Sequence, residues 1–137
     1  MPKITFFLSL FLFLTACQPS AKEQSERRQQ DEAAALPLLA TARVALAKKD
    51  FKTARITIKT LREEYPYALS ARETAIVVMD SVDLVEAQEQ LMRQDSLLRN
   101  CAGSCKLRQA KYDELVQRVK FYQRKIRHDQ HPPLPHE

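Results

Sequence analysis

Hydrophobic and polar positions divide the chain into an apolar start, a polar stretch and segments with helical periodicity. A mostly apolar run covers Ile4–Leu14, and residues 18–31 contain no large apolar side chain. From about Ala35 onward, apolar residues recur at intervals of three and four, which is the period of a helix with one face turned inward. The pattern predicts a leader, a spacer and a helical domain, in that order.

Two helices are predicted at the start of the helical domain. The first runs from about Ala35 to Lys49, with Pro37 tolerated in its first turns. Asp50 is a candidate N-cap for the second helix, which runs from Phe51 to about Glu64. Tyr65-Pro66 ends that helix, because the residue before a proline avoids the helical region. The inward face of the second helix is predicted to consist of Phe51, Ala54, Ile58 and Leu61.

A long helical hairpin is predicted to follow. Residues 68–100 contain no Gly and no Pro, so they predict one helix of about 50 Å at a rise of 1.5 Å per residue. After a turn that holds Gly103, a last helix runs to Arg127. The two helices carry apolar stripes that would pack antiparallel, and the hairpin is also a candidate oligomer contact. The stripe residues are Leu84, Ala87 or Gln88, Leu91 and Leu98, then Tyr112, Val116, Val119, Tyr122 and Ile126.

Composition supports an all-α fold. The chain has one glycine in 137 residues, whereas strand hairpins and phosphate-binding loops usually need glycines at special backbone angles. It has no nucleophile with a base and an orienting partner, no metal motif and no phosphate loop. Glu63 and Glu64 are adjacent, but on a helix they point about 100° apart. We therefore expect no catalysis, no cofactor and no metal centre.

The apolar start resembles an export signal. Lys3 precedes the run Ile4–Leu14, which is too short for a bilayer span of about 20 residues but fits a signal peptide. The sequence Leu14-Thr15-Ala16-Cys17 resembles the lipobox of bacterial lipoproteins. This resemblance implies acylation of Cys17, cleavage before it and, because Gln18 rather than Asp follows, residence at the outer membrane. The alternative is an ordinary secretory signal with an incidental cysteine.

The segment from about Ala35 to Tyr67 resembles a tetratricopeptide repeat, a helix-turn-helix of about 34 residues. The usual glycine of the first helix is absent, and only one full repeat is visible. A single repeat leaves an apolar face that something else must cover. The alternative is a helical hairpin unrelated to that family, with much the same fold. The residues that match the repeat are Ala42, Phe51, Ala54, Ile58, Leu61 and Pro66.

Cys101 and Cys105 flank the hairpin turn as C-x₃-C. Disulfides persist outside the cytosol, and Gly103 gives the intervening loop the freedom to bring the sulfurs together. We therefore expect a local disulfide rather than free thiols. A redox role would call for C-x-x-C in a βαβ setting, and a zinc site would need two further ligands.

The net charge is +5, from 22 basic and 17 acidic residues. Loss of Lys3 with the leader reduces it to +4, a modest excess that favours an anionic surface over a nucleic-acid partner. The last helix is predicted to present a basic surface, the alternative being an ordinary solvated face. In the tail, three histidines could bind a metal, but their irregular spacing favours disorder. The basic surface consists of Arg118, Lys120, Arg124, Lys125 and Arg127.

The sequence thus predicts an all-α protein with one tetratricopeptide-like helix pair followed by a long antiparallel hairpin. We expect a membrane-anchored lipoprotein that serves as a protein-interaction or scaffolding module, similar to small envelope lipoproteins that join one such repeat to a coiled hairpin. The alternative is an envelope-surface binder that uses the basic last helix. The expected organisation is a signal peptide at 1–16, a polar tether at 17–33, the helix pair at 34–66, the hairpin at 67–127 and a disordered tail at 128–137.

Overall fold

The computed structural model describes residues 20–103 and 105–131. Within them the chain folds into four helices and no strand, which confirms the all-α prediction. The predicted leader, Cys17 and residues 132–137 of the tail lie outside the described residues. The helices are α1 (Ala21–Ala47), α2 (Phe51–Glu64), α3 (Leu69–Arg99) and α4 (Lys106–Gln130).

Helix α1 begins well before the expected Ala35. Ser20 is its N-cap, and the Ser20 hydroxyl accepts a hydrogen bond from the Glu23 backbone N–H at 3.3 Å. Arg27 pairs with Glu23 one turn away at 2.7 Å. The residues of this first part are exposed good helix formers. The predicted boundary between tether and helix pair at 33/34 is therefore not a break in the structure, because one helix runs through it.

Pro37 consequently lies in the interior of α1 and not in its first turns. Proline has no N–H to donate to the carbonyl of residue i−4, here Ala33. Both residues are exposed, so water can reach the carbonyl that is left without a donor. The Thr41 hydroxyl donates to the Pro37 carbonyl oxygen at 2.9 Å, which adds a local bond to this turn.

The junction between α1 and α2 follows the sequence closely. Lys49 adopts a left-handed φ of 59°, and the Asp50 carboxylate accepts a hydrogen bond from the Thr53 N–H at 3.0 Å. Asp50 is thus the N-cap of α2, as predicted, and this bond holds the pKa of its carboxyl below the ordinary value. Helix α2 has the predicted bounds, since Tyr65-Pro66 ends it.

Helices α1, α2 and α3 share one core. Much of this core is alanine, whose small side chain lets helix backbones approach closely. The tetratricopeptide-like positions divide accordingly: Phe51 is half-buried, Pro66 is exposed, and the other four are fully buried. Those four are Ala42, Ala54, Ile58 and Leu61.

Acidic side chains of α1 cap helix α3. Helix α3 has Ala68 at its N-cap and no side-chain cap of its own. The Glu32 carboxylate accepts hydrogen bonds from the backbone N–H groups of Ser70 at 2.7 Å and Ala71 at 3.1 Å. Asp31 accepts from the N–H of Tyr67 at 3.0 Å. Carboxylates are favourable at a helix N-terminus, so the end of the predicted tether helps to fix the start of α3.

Helix α4 returns along α3 and, among the described helices, packs on α3 alone. The direction is antiparallel, because Lys125 meets Asp80 near one end and the Gln94 side chain reaches the Arg108 carbonyl near the other at 3.1 Å. The predicted hairpin is therefore present. Its seam includes Leu115, which the predicted stripe lacked. The buried seam residues of the two helices are Ala87, Leu115 and Val119.

Candidate functional site

Helix α1 has an apolar face directed away from the core. Within residues 33–47, Thr41 and Arg43 are the only polar residues. Leu36 and Val44 are 57% and 53% exposed. A helix that is apolar on all sides is normally buried on all sides. We call this surface the α1 outer face; its residues are Ala33, Leu36, Pro37, Ala40, Val44 and Ala47.

The spacing along the α1 outer face suits a second helix. Positions 33, 37, 40, 44 and 47 alternate in steps of four and three, which is the repeat of a coiled-coil seam. Three of these positions are alanines spaced seven residues apart (Ala33, Ala40 and Ala47), so the backbone of a neighbouring helix can come close. The face is about 22 Å long at 1.5 Å per residue.

Basic residues of the α1–α2 junction and of α2 pair with the acidic side of α3. Arg55 contacts Asp83 at 2.6 Å and Glu86 at 2.5 Å, and Lys49 contacts Glu89 at 2.8 Å. The bond from Lys49 holds the pKa of the Glu89 carboxyl below the ordinary value. In the sequence these charged residues are all candidates to bind a ligand. In the structure they are paired with one another, so on this side of the bundle they stabilise the packing of the helices.

Lys125 lies at the edge of the contact between α3 and α4 with its side chain 35% exposed, and its charge is paired there, so it is not a free member of the basic surface. Its ammonium donates to Asp129 at 2.9 Å and to Asp80, which is only 7% exposed. Hydrogen bonds to Asp129 and then Asp80 hold the pKa of Lys125 above its ordinary value. Nearby, burial and then the charge of Asp83 raise the pKa of Tyr122.

The other members of the predicted basic surface lie on the exposed side of α4. Arg118 is paired with Glu114 at 2.8 Å. Lys120, Arg124 and Arg127 are exposed and form no ion pair with residues 20–103 or 105–131. The predicted five-residue surface is therefore reduced to three free charges.

Most of the net charge lies elsewhere, at the far end of the hairpin. Residues 91–111, which we call the hairpin tip, contain five basic residues and Asp95 as the one acidic residue, so they hold +4 of the chain's +5. At the turn, Cys101 and Cys105 are joined in a disulfide with their Cα atoms 6.3 Å apart. The basic residues are Arg93, Arg99, Lys106, Arg108 and Lys111.

The described part of the chain offers little for bound ions or a membrane span. Across residues 20–103 and 105–131, no three His, Cys, Asp or Glu side chains converge as metal ligands. None of the described helices is long and apolar enough to cross a bilayer. His128 contacts Asp129 at 3.2 Å, so one of the tail histidines is part of the Lys125 cluster. What remains as candidate sites are the α1 outer face and the hairpin tip.

A scan against protein-family models finds no matching family, and searches of curated proteins and of solved structures find no match. Similarity therefore assigns no family to the chain. The sequence signals that could have indicated the two surfaces are the near absence of polar residues over 33–47 and the charge excess over 91–111.

Proposed function

We propose that the chain is an envelope lipoprotein, acylated at Cys17 and held at the outer membrane, whose helical domain binds a partner protein and catalyses no reaction. The α1 outer face is the observation that carries this proposal. Its seam spacing and small residues favour an apolar stripe on a partner helix as the occupant. The lipobox resemblance supports the anchor.

The size of the α1 outer face explains why an anchor would help. Leu36 and Val44 are about half exposed, so burial of the remainder contributes about half of the 1.5–3 kcal/mol that full burial of such a side chain contributes. A stable interface usually buries about 800 Å² on each partner, which is more than one face of four helical turns provides. A membrane that holds both proteins raises their effective concentration and compensates for a weak contact. On this proposal the anchor and the docking face act together.

A second candidate is contact with anionic lipid or polymer through the basic last helix. Lys120, Arg124 and Arg127 support it, because they follow one another at steps of four and three and so share one side of α4. Replacement of all three by glutamine would weaken such contact and leave capture of a partner helix unchanged. That difference separates the two candidates.

The proposed docking is tested by photocrosslinking in the native envelope. We expect p-benzoylphenylalanine in place of Val44 to give one discrete adduct with a partner protein. Ile56 on α2 provides a matched control, because it is 54% exposed against 53% for Val44, and it should give no such adduct. Equal labelling from both positions, or none from either, would contradict the proposal. An adduct of twice the chain's own mass would assign the face to a second copy of this protein.

A further inference from the structure

The hairpin tip combines exposed apolar side chains with most of the chain's net positive charge. Leu107 is 86% exposed, more than any other large apolar residue of the described chain, and Leu97 is 50% exposed. Lys106 and Arg108 flank Leu107 in sequence and make no ion pair with any described residue. Apolar and basic groups therefore occur together at one end of the molecule.

Leu97 and Leu107 lie on the same flank of the hairpin. Leu97 precedes the half-buried seam residue Leu98 by one position, a rotation of about 100°. Leu107 precedes the buried Leu115 by eight positions. Eight residues at 100° each make two full turns and a remaining 80°. Leu107 is therefore rotated about the helix axis by about 80° from Leu115, in the same sense as Leu97 is from Leu98. Because the two helices are antiparallel, equal rotations toward lower residue numbers lead to the same side. The two leucines thus form one apolar edge.

The beginning of α4 adds positive charge of another kind. Its N-cap is Cys105, with no side-chain hydrogen bond to the free backbone N–H groups and no acidic residue in the first turn. The N-terminus of a helix carries a partial positive charge, and Lys106 and Arg108 lie in that same turn. The disulfide between Cys101 and Cys105 links the end of α3 to this turn. The tip is therefore cross-linked by a disulfide and carries positive charge.

The shape of the tip favours a lipid surface over a protein. The hairpin is two helices wide, and its exposed leucines project outward, so the tip presents separate apolar side chains to its surroundings. A bilayer accepts single apolar side chains at the headgroup boundary and attracts basic residues to its phosphates. We propose that the hairpin tip docks on an anionic phospholipid bilayer, with Leu97 and Leu107 inserted and Lys106 and Arg108 at the headgroups.

This docking goes beyond the proposed partner-binding function and uses a different surface. Asp31 and Glu32 of α1 contact the start of α3, and Lys49, just after α1, contacts Glu89, so the α1 outer face lies beside the part of α3 that precedes the tip. Helix α3 has 31 residues and is therefore about 46 Å long. A result at the tip consequently leaves the assignment of the α1 outer face unchanged.

The chain has no tryptophan, so Leu107→Trp gives it a single fluorescent reporter at the tip. The full chain is reconstituted in vesicles whose lipids carry brominated acyl chains, which quench tryptophan on contact. All vesicles in one sample have the same lipid composition. Quenching is therefore observed whether the tip contacts the bilayer in which its own chain is anchored or the bilayer of a neighbouring vesicle. We expect strong quenching with phosphatidylglycerol present, and much weaker quenching in phosphatidylcholine alone or at high salt, since salt screens surface charges.

Two further variants control this measurement. Ile56→Trp, on the exposed side of α2, should stay unquenched in both kinds of vesicle. Replacement of Lys106 and Arg108 by glutamine in the Leu107→Trp chain should lower the ratio of inserted to free tip about 30-fold, because each basic residue strengthens contact with an anionic surface about fivefold. Absence of quenching of the Leu107→Trp chain in anionic vesicles, or equal quenching in both lipids, would overturn the proposal. Absence of quenching in anionic vesicles would leave an acidic protein as the ligand of the tip.

Discussion

At the scale of single residues, the contact between Asp80 and Lys125 shows how a partner changes the role of a charge. From the sequence, Lys125 is predicted to be one of several surface cations. Its neighbours Arg124 and Arg127 are indeed exposed in the structure. Asp80 is nearly inaccessible, so its carboxylate depends on the Lys125 ammonium. A buried carboxylate without a partner is costly, and the pair therefore stabilises the hairpin against separation of α4 from α3.

We predict that Lys125→Met lowers the free energy of unfolding by about 1–3 kcal/mol, the cost of a buried acceptor left unsatisfied. Arg124→Met, one position away on the exposed side, should change it by less than about 0.5 kcal/mol. Chemical denaturation followed by circular dichroism measures both. The double variant Asp80→Asn/Lys125→Met should recover part of the loss, because it removes the unpaired charge. Equal effects of the two single variants would refute the role assigned to Lys125.

At the scale of elements, α1 is unusual in having two apolar faces and an internal proline. One face is buried by α2 and α3, while the other contains Leu36, Pro37 and Val44. An interior proline makes a helix less favourable by about 3 kcal/mol relative to alanine. The fold tolerates it here because the affected turn faces water, which can bond to the Ala33 carbonyl that lacks its donor.

We predict that Pro37→Ala raises the free energy of unfolding by up to about 3 kcal/mol, since alanine restores the missing N–H and suits a helix interior. Pro66→Ala is the matched control. Pro66 lies in the turn after α2, where proline restricts the unfolded chain, so its loss should lower stability by about 1 kcal/mol or less. Urea titrations of both variants give the comparison. A destabilised Pro37→Ala protein would show that the proline ring makes contacts that outweigh its backbone cost.

At the scale of the whole molecule, the four helices form a compact end and a projecting end. Helices α1 and α2 pack with α3, whereas α4 packs on α3 alone among the described helices. Asp31 of α1 contacts the backbone just before α3, and the disulfide-closed turn lies at the other end of that helix. The contact of α1 with the start of α3 and the proposed lipid-binding tip therefore lie at opposite ends of the long hairpin.

We predict that Cys17→Ala removes the protein from the outer-membrane fraction of the envelope, because the acyl chains that would hold it there have no other attachment site and the uncleaved leader would keep the precursor at the inner membrane. Each buried methylene contributes about 0.8 kcal/mol to anchoring, so loss of several chains is decisive. Fractionation followed by immunoblotting measures the change. Cys101→Ser breaks the disulfide at the hairpin turn without touching the lipobox, and it should leave the protein in the outer-membrane fraction. Retention of the Cys17→Ala protein in that fraction at wild-type level would contradict acylation at this residue.

Local signals in the sequence determined the helices. Asp50 caps α2 because its side chain reaches an N–H three residues away, and Tyr65-Pro66 ends α2 through a clash between adjacent residues. The absence of Gly and Pro over residues 68–100 produced one long helix, and Gly103 marks the turn that follows. These interactions span only a few positions, so a linear pattern contains them. The apolar pattern begins near Ala35 and not at Ala21 because the first part of α1 is polar, and helix formation there depends on capping and propensity and not on an apolar stripe.

Tertiary structure decided which faces are covered. Glu32 caps a helix that begins 37 positions later, and Lys125 pairs with a carboxylate 45 positions before it. Neither pairing leaves a trace in local periodicity, because many acidic and basic residues could occupy either role. The same is true of the α1 outer face, whose residues match those of a core helix until the packing of α2 and α3 leaves them exposed. The sequence by itself determined the helices and their order, and only the packing of distant segments decided which charges and which apolar side chains remain free to bind.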